Sequence, residues 1–290
     1  MNANHPALLP SMPEAEYRAH PALSSSGARK LLAPSSPAEF DWERRNPTPP
    51  TKAMILGKAA HRLALGVGAH IEVSDEWTDY RKADAQAWRD EVLARDEVPM
   101  LASSADWQTL LAMRDELRAH ADFPRLFSAE RGDPEVSAFW TDKATGVECR
   151  ARFDFLPHAV KGRRLIVPDY KKSEKVDPAG FARACADYGH PMQADWYLRG
   201  VRALGLDRDP AFVFVTQSPK PPYLVAIHQI SDADMRLAAA RNDAALRVFA
   251  RCTETGQWPG WPGINQLEMP TYWRYQTEDL LDQLESESAA

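Results

Sequence analysis

Three short stretches carry residues that together could hydrolyse a phosphodiester with the help of a metal ion. They are Ala151-Arg152-Phe153-Asp154, Ile166-Val167-Pro168-Asp169-Tyr170-Lys171 and Gln193-Ala194-Asp195-Trp196-Tyr197. Paired carboxylates suit a hard divalent cation, Mg2+ or Mn2+, which takes oxygen ligands and keeps several waters. A lysine beside them can position the attacking water and offset charge that grows on the phosphate.

Such residues act only if the chain brings them together. Residues 165–171 form a short apolar run after the loop signal Lys161-Gly162 and read as a strand. Side chains alternate along a strand, so Asp169 and Lys171 share a face, about 7 Å apart at a rise of ~3.3 Å per residue, and Tyr170 points the other way. Residues 149–156 also alternate, with Cys149, Ala151, Phe153 and Phe155 against Arg150, Arg152 and Asp154. With the two strands as neighbours, Asp154 would lie beside Asp169. Residues 187–204 have helical character after Gly189-His190-Pro191, where the proline suits a first turn. Gln193 and Tyr197 share one face of that helix, and Met192, Trp196 and Val201 suit a core. Each piece alone has a plainer reading. An Asp-x-Lys on a strand is also a surface ion pair, and a glutamine on an amphipathic helix is ordinary.

Taken together, the pieces resemble the PD-(D/E)XK nuclease superfamily, and within it the C-terminal nuclease domain of exodeoxyribonuclease VIII, the RecE-like recombination exonucleases. That family's pattern, His … Arg-x-Asp … Asp-x-Lys … Gln-x-x-x-Tyr, is met by His61, Arg152-Phe153-Asp154, Asp169-Tyr170-Lys171 and Gln193 with Tyr197. Tyr17-Arg18-Ala19-His20-Pro21-Ala22-Leu23-Ser24 leading to Ser36-Pro37-Ala38-Glu39-Phe40 resembles the family's opening, and Gly57-Lys58-Ala59-Ala60-His61 its Gly-x-x-x-His helix. Residues 212–223 resemble a strand that ends in a Pro-Pro-Tyr turn. Pro168-Asp169 spells the superfamily's name, but that register would require Glu174, which Lys175 follows with no spacer. Asp154 as first acid with Asp169-x-Lys171 is the better register.

The resemblance spans roughly residues 15–275. It implies an α/β restriction-endonuclease-like fold, a mixed central sheet flanked by helices, with a helical insertion. It implies that His61, Asp154 and Asp169 bind the metal, with the Tyr170 backbone carbonyl as a further oxygen, and that Lys171, Asp169 and Asp154 are catalytic. Gln193, Tyr197, Arg152 and Lys172 would brace the site or touch DNA, and Glu135 could serve as an outer acid. Two departures are Pro168, which removes a ladder donor and so suggests an edge or bulge, and Lys172, where many relatives have threonine. The implied activity is Mg2+-dependent exonucleolytic hydrolysis that resects double-stranded DNA ends for recombination, by a ring-shaped homo-oligomer working with a single-strand annealing recombinase. Two other readings stand beside it: an endonuclease or single-strand-specific nuclease on the same fold, and a non-catalytic DNA-binding or recombinase-partner protein.

Bulk properties bound these readings. The 290 residues fit one large domain. A net charge of −6 looks wrong for a DNA binder, yet five acids and no base follow Thr277, and without them the balance is −1. Residues 149–183 carry nine Lys/Arg against four acids, which places positive charge around the proposed site. Three scattered cysteines (Cys149, Cys185, Cys252) fit neither a disulfide framework nor the four thiolates of an iron–sulfur cluster. No apolar run approaches the ~20 residues of a membrane span and no signal peptide core is evident, so a cytoplasmic protein is expected. Gly57-Lys58 lacks the rest of a phosphate-binding loop, so no nucleotide cofactor is expected, and no Gly-x-Ser-x-Gly or His-Glu-x-x-His occurs.

The expected organisation is a loose segment 1–14, one nuclease domain over 15–275 with a mostly helical, charged segment at 77–121, and an acidic tail at 276–290. Ser24 to Ser26 offer helix caps, 141–146 a hairpin turn, and Ser231 a helix start that runs to about Thr255. Trp258-Pro259-Gly260-Trp261 reads as a rigid loop, whose tryptophans suit core packing more than base stacking.

Overall fold

The computed structural model describes residues 6–10 and 12–288, in two compact units, Met1–Trp258 and Pro259–Ala290. The larger unit opens with β1 (Ala7–Leu9), α1 (Glu14–Ala19), β2 (Leu23–Ser24), α2 (Ser25–Lys30), α3 (Pro37–Arg45) and α4 (Lys52–Leu65). Then come β3 (Ile71–Ser74), α5 (Ala83–Ala94), β4 (Val98–Leu101), α6 (Ala105–Ala119) and α7 (Phe123–Phe127). The centre is β5 (Gly132–Thr141), β6 (Glu148–Pro157), β7 (Ile166–Lys172), α8 (Pro178–Tyr188) and α9 (His190–Ala203). It closes with β8 (Ala211–Gln217), β9 (Val225–His228) and α10 (Asp232–Thr255). Side-chain caps start many of the helices: Ser24, Ser36, Thr51, Ser104, Asp177 and Ser231 each accept a backbone N–H from the first turn.

The strands form a mixed α/β arrangement with helices packed around it. One set runs in the order β1-β5-β6-β2, a second β7-β8-β9, and β3 with β4 makes a third. β5 and β6 are an antiparallel hairpin, whose turn is tied by Asp142 Oδ1 accepting from Thr145 N (2.9 Å) and Thr145 Oγ1 (2.7 Å). β2 joins β6 in parallel, β7 joins β8 in parallel, and β9 returns antiparallel to β8. β6 and β7 run alongside each other, and the bond between them comes from a side chain: Tyr170 N donates to Asp154 Oδ2 at 2.8 Å.

That bond explains the buried proline in the strand. Tyr170 turns its amide away from β8, and Pro168, two residues earlier, has the same orientation. Pro168 therefore costs no bond to β8, and the β7–β8 register continues unbroken from Ile166↔Ala211 to Lys172↔Gln217. β7 is an edge of its ladder with no bulge, as proline requires.

Helix α9 lies against this sheet with Met192, Ala194, Trp196, Leu198 and Val201 buried, and Trp196 Nε1 donates to Arg150 O at 2.9 Å. A second cluster lies beneath α4 and α6 and includes Ala59, Ala60, Met113, Leu117, Phe155 and Tyr170. Small side chains on α4 let its backbone come close, which brings His61 to β7.

Several expectations change. Residues 7–9 pair with β5 and α1 begins at Glu14, so much of 1–14 is ordered; residues 1–5 and 11 lie outside those described. The 77–121 segment contains β4, which pairs in parallel with β3, beside its helices. Helix α8 was not anticipated. The larger unit ends at Trp258 rather than near 275, and Trp258 packs there on Phe40 and Phe249. In the smaller unit the acidic tail belongs to α11 (Thr271–Ser288), which has no buried residue; 289 and 290 lie outside those described. No helix is long and apolar enough to cross a membrane.

Trp196 is fully buried and carries a hydrogen bond that Phe cannot replace. Trp196→Phe is expected to cost about 1–3 kcal/mol in urea unfolding, from a cavity and an unpaired carbonyl. A variant as stable as the parent would contradict this packing.

Candidate active site

The alternation of β7 sets Asp169 and Lys171 on one face, and the Lys171 ammonium forms an ion pair with Asp169 Oδ2. Asp169 is 1% exposed, and its Oδ1 accepts from Gln193 Nε2 of α9 at 2.8 Å. Tyr197, one turn on from Gln193 along α9, packs its ring edge-on against Phe153 at 5.2 Å. Asp154 reaches across from β6, and His61 Nδ1 of α4 lies 3.6 Å from Asp154 Oδ2. Tyr170 points to the opposite face, where its hydroxyl donates to Gln217 Oε1 at 2.8 Å.

Electrostatics follow from burial. Burial raises the carboxyl of Asp154, against the charge of Lys171 and the Tyr170 N–H. Burial and then the charge of Asp154 push Asp169 up from 3.8 to about 6. Burial would lower Lys171, but Asp169 and Asp154 outweigh it and hold the ammonium above its ordinary value. Burial and then Lys171 push His61 down to about 4, so its imidazole is neutral near pH 7 and offers a lone pair. A backbone hydrogen bond to Tyr170 opposes that shift.

Among the described residues no three His, Cys, Asp or Glu side chains make a closed metal cage. The donor set nevertheless fits a hard divalent cation. Two carboxylates, Asp169 buried and Asp154 half-buried, share a single lysine, Asp169 Oδ2 carries only that ammonium, and a neutral imidazole lies beside Asp154. The group that would hold the metal is Asp154, Asp169, the Tyr170 carbonyl and His61.

Glu135 and Arg152 sit at the border of this group. The Glu135 backbone is left-handed (φ 55), and the β5–β6 register skips from Pro134↔Phe155 to Val136↔Phe153, so the strain falls opposite Asp154. Burial and then Asp154 push the Glu135 carboxyl up to about 7. Arg152 turns inward: Nε pairs with Glu135 Oε2 at 2.7 Å and Nη2 donates to Met12 O at 2.7 Å. It braces the site and does not reach outward. Lys172, by strand alternation, lies on the face away from Lys171, and its charge acts on Glu174. A cleft of about 1200 Å³ has His61, Glu135, Arg152, Gln193 and Tyr197 in its wall. Arg29 and Lys58 line it too, and neither was singled out from the sequence. Lys58 lies three residues before His61, a helical spacing that could have found it; nothing local marks Arg29.

The pair has a measurable cost. Asp169 titrates at 3.8 unfolded and about 6 folded, so the unfolded chain releases its proton first. Its stabilising contribution is present below 3.8 and lost as pH rises to about 6. In EDTA, Asp154→Asn keeps the acceptor for Tyr170 N and removes the repulsion. The variant is expected to match the parent at pH 4 and exceed it above pH 6 by on the order of 1–3 kcal/mol. A variant less stable at both pH values would show that the Asp154 charge is not a burden on the fold.

Residues 24–268 match a family described as "PDDEXK-like domain of unknown function (DUF3799)". A crystal structure described as a "Putative exonuclease" from Eubacterium rectale superposes with a TM-score of 0.59 at 13% identity, covering 90% of this chain and 96% of that one. That likeness shows the fold. No curated protein matches the chain. With the family matched over most of its length and its fold that of the superfamily, the chain belongs to the PDDEXK-like domain family, within the PD-(D/E)XK nuclease superfamily.

Proposed function

We propose that this protein is a metal-dependent DNA exonuclease that hydrolyses phosphodiester bonds and resects double-stranded ends. The observation that carries the reading is the Asp154–Asp169 pair, with Lys171 on Asp169 and, beside Asp154, the neutral His61 that lines an open cleft. A bound Mg2+ or Mn2+ would supply Lewis-acid activation of the phosphate and a more acidic water. Asp154 and Asp169 would supply its carboxylate oxygens, and Gln193 fixes the orientation of Asp169. Lys171 holds its proton at Nζ and can stabilise charge that develops on phosphate oxygens. Gln193 and Tyr197 act by positioning. The preference for ends and the recombination role rest on the resemblance to exodeoxyribonuclease VIII, as do ring assembly and a single-strand annealing partner.

Linear duplex DNA is expected to disappear with Mg2+ or Mn2+, to persist in EDTA, and to persist with Asp169→Ala. Lys171→Met should lower kcat by about 10²–10³, and covalently closed circles should resist. Cleavage of circles would assign an endonuclease. Binding without hydrolysis of any linear, nicked or single-stranded DNA would favour a non-catalytic DNA-binding protein.

A further inference from the structure

A second cleft, of about 670 Å³, lies on the far side of Arg29. Arg29 and Ser26 line both clefts, so the second adjoins the cleft that His61, Gln193 and Tyr197 line. The Arg29 charge is near enough to act on both Lys171 and His190, which begins α9. The α8–α9 turn accommodates Arg29 through Gly189, at φ 64, where an added Cβ would lie 2.6 Å from Arg29 Cδ. Arg29 Nε is buried without a hydrogen-bond partner, and among the described residues Arg29 has no ion pair.

The lining beyond Arg29 is mainly apolar with a cationic rim. Tyr188, 65% exposed, ends α8 with its ring 5.8 Å from His190, and Leu237, also 65% exposed, faces the cleft from α10. Arg241 adds a second cation that has no ion pair among the described residues, with only a 3.4 Å bond to Ala33 O. Lys30 is occupied by Glu43. The acids in the lining are Asp187 and Asp234, and Asp234 is held by Ser231 at the start of α10.

An exposed aromatic face beside guanidinium groups free of carboxylates is the chemistry that holds single-stranded nucleic acid. Bases stack on the ring and phosphates meet the cations. We infer that this cleft binds a single DNA strand that continues from the scissile phosphate past Arg29, with a base stacked on Tyr188. This rests on the nuclease reading above and adds to it a strand path.

The test is anisotropy of fluorescein-labelled DNA in EDTA, comparing a blunt duplex with the same duplex carrying a short oligothymidine tail on its 3′ or its 5′ strand. Hydrolysis of the blunt duplex with Mg2+ is measured alongside. One tailed duplex is expected to bind at least about tenfold tighter than the blunt one. Tyr188→Ala and Arg241→Gln should bring that ratio towards one, and Tyr188→Trp should keep it. Because Tyr188 is mostly exposed, the variants should unfold at the parent temperature. A parent that cleaves the blunt duplex but shows no tail preference, or a Tyr188→Ala protein that retains it, overturns the strand path and leaves the nuclease reading intact. A parent that neither binds nor cleaves any of these DNAs overturns both.

Discussion

The site depends on one interaction, the reach of Asp154 from β6 to the Tyr170 amide on β7. Where two strands run side by side, a backbone N–H turned toward its neighbour needs an acceptor, and a buried unpaired one is costly. Here the acceptor is a carboxylate. The same contact therefore joins the set that contains β6 to the set that contains β7 and plants a second negative charge beside Asp169. Lys171 offsets one charge of the two, and the remainder is stored as a raised carboxyl on Asp169. A protein that only needed to fold would place an apolar or neutral group there. One that binds a divalent cation gains from keeping both acids.

The surroundings hold that arrangement rather than relieve it. Gln193 donates to Asp169 from a helix whose other face carries Trp196 and Val201 in the core, so the donor cannot drift. His61 projects from a face of α4 made close-packing by Ala59, Ala60 and Ala64, and burial keeps its imidazole neutral. Arg152 spends its guanidinium on Glu135 and the Met12 carbonyl, which ties the N-terminal segment to the site. The backbone strain at Glu135 falls on the residue opposite Asp154 in the hairpin, where a regular ladder would otherwise set the β5 side chains.

Much of this was legible in the sequence because it is local. Alternation placed Asp169 and Lys171 on one face, helical spacing placed Gln193 with Tyr197, and capping residues marked the start of α2 and α10. Asp177-Pro178 is an equally good start signal and opens α8. Other features have no local signature. β1 is three residues long and owes its form to β5, and β4 carries a proline and pairs with a strand that is separated from it by α5. The inward turn of Arg152 depends on Glu135 and Met12, and the exposure of Arg29 to both clefts depends on Gly189. These are long-range contacts, which composition and period do not encode.

The most direct measurement is a crystal grown with Mn2+, with diffraction recorded at the manganese absorption edge. The account predicts an anomalous peak among Asp154, Asp169 and the Tyr170 carbonyl, with the Lys171 ammonium moved off Asp169 Oδ2. An ion pair between Lys171 and Asp169 that persists at saturating Mn2+, with no peak between the two carboxylates, would contradict it.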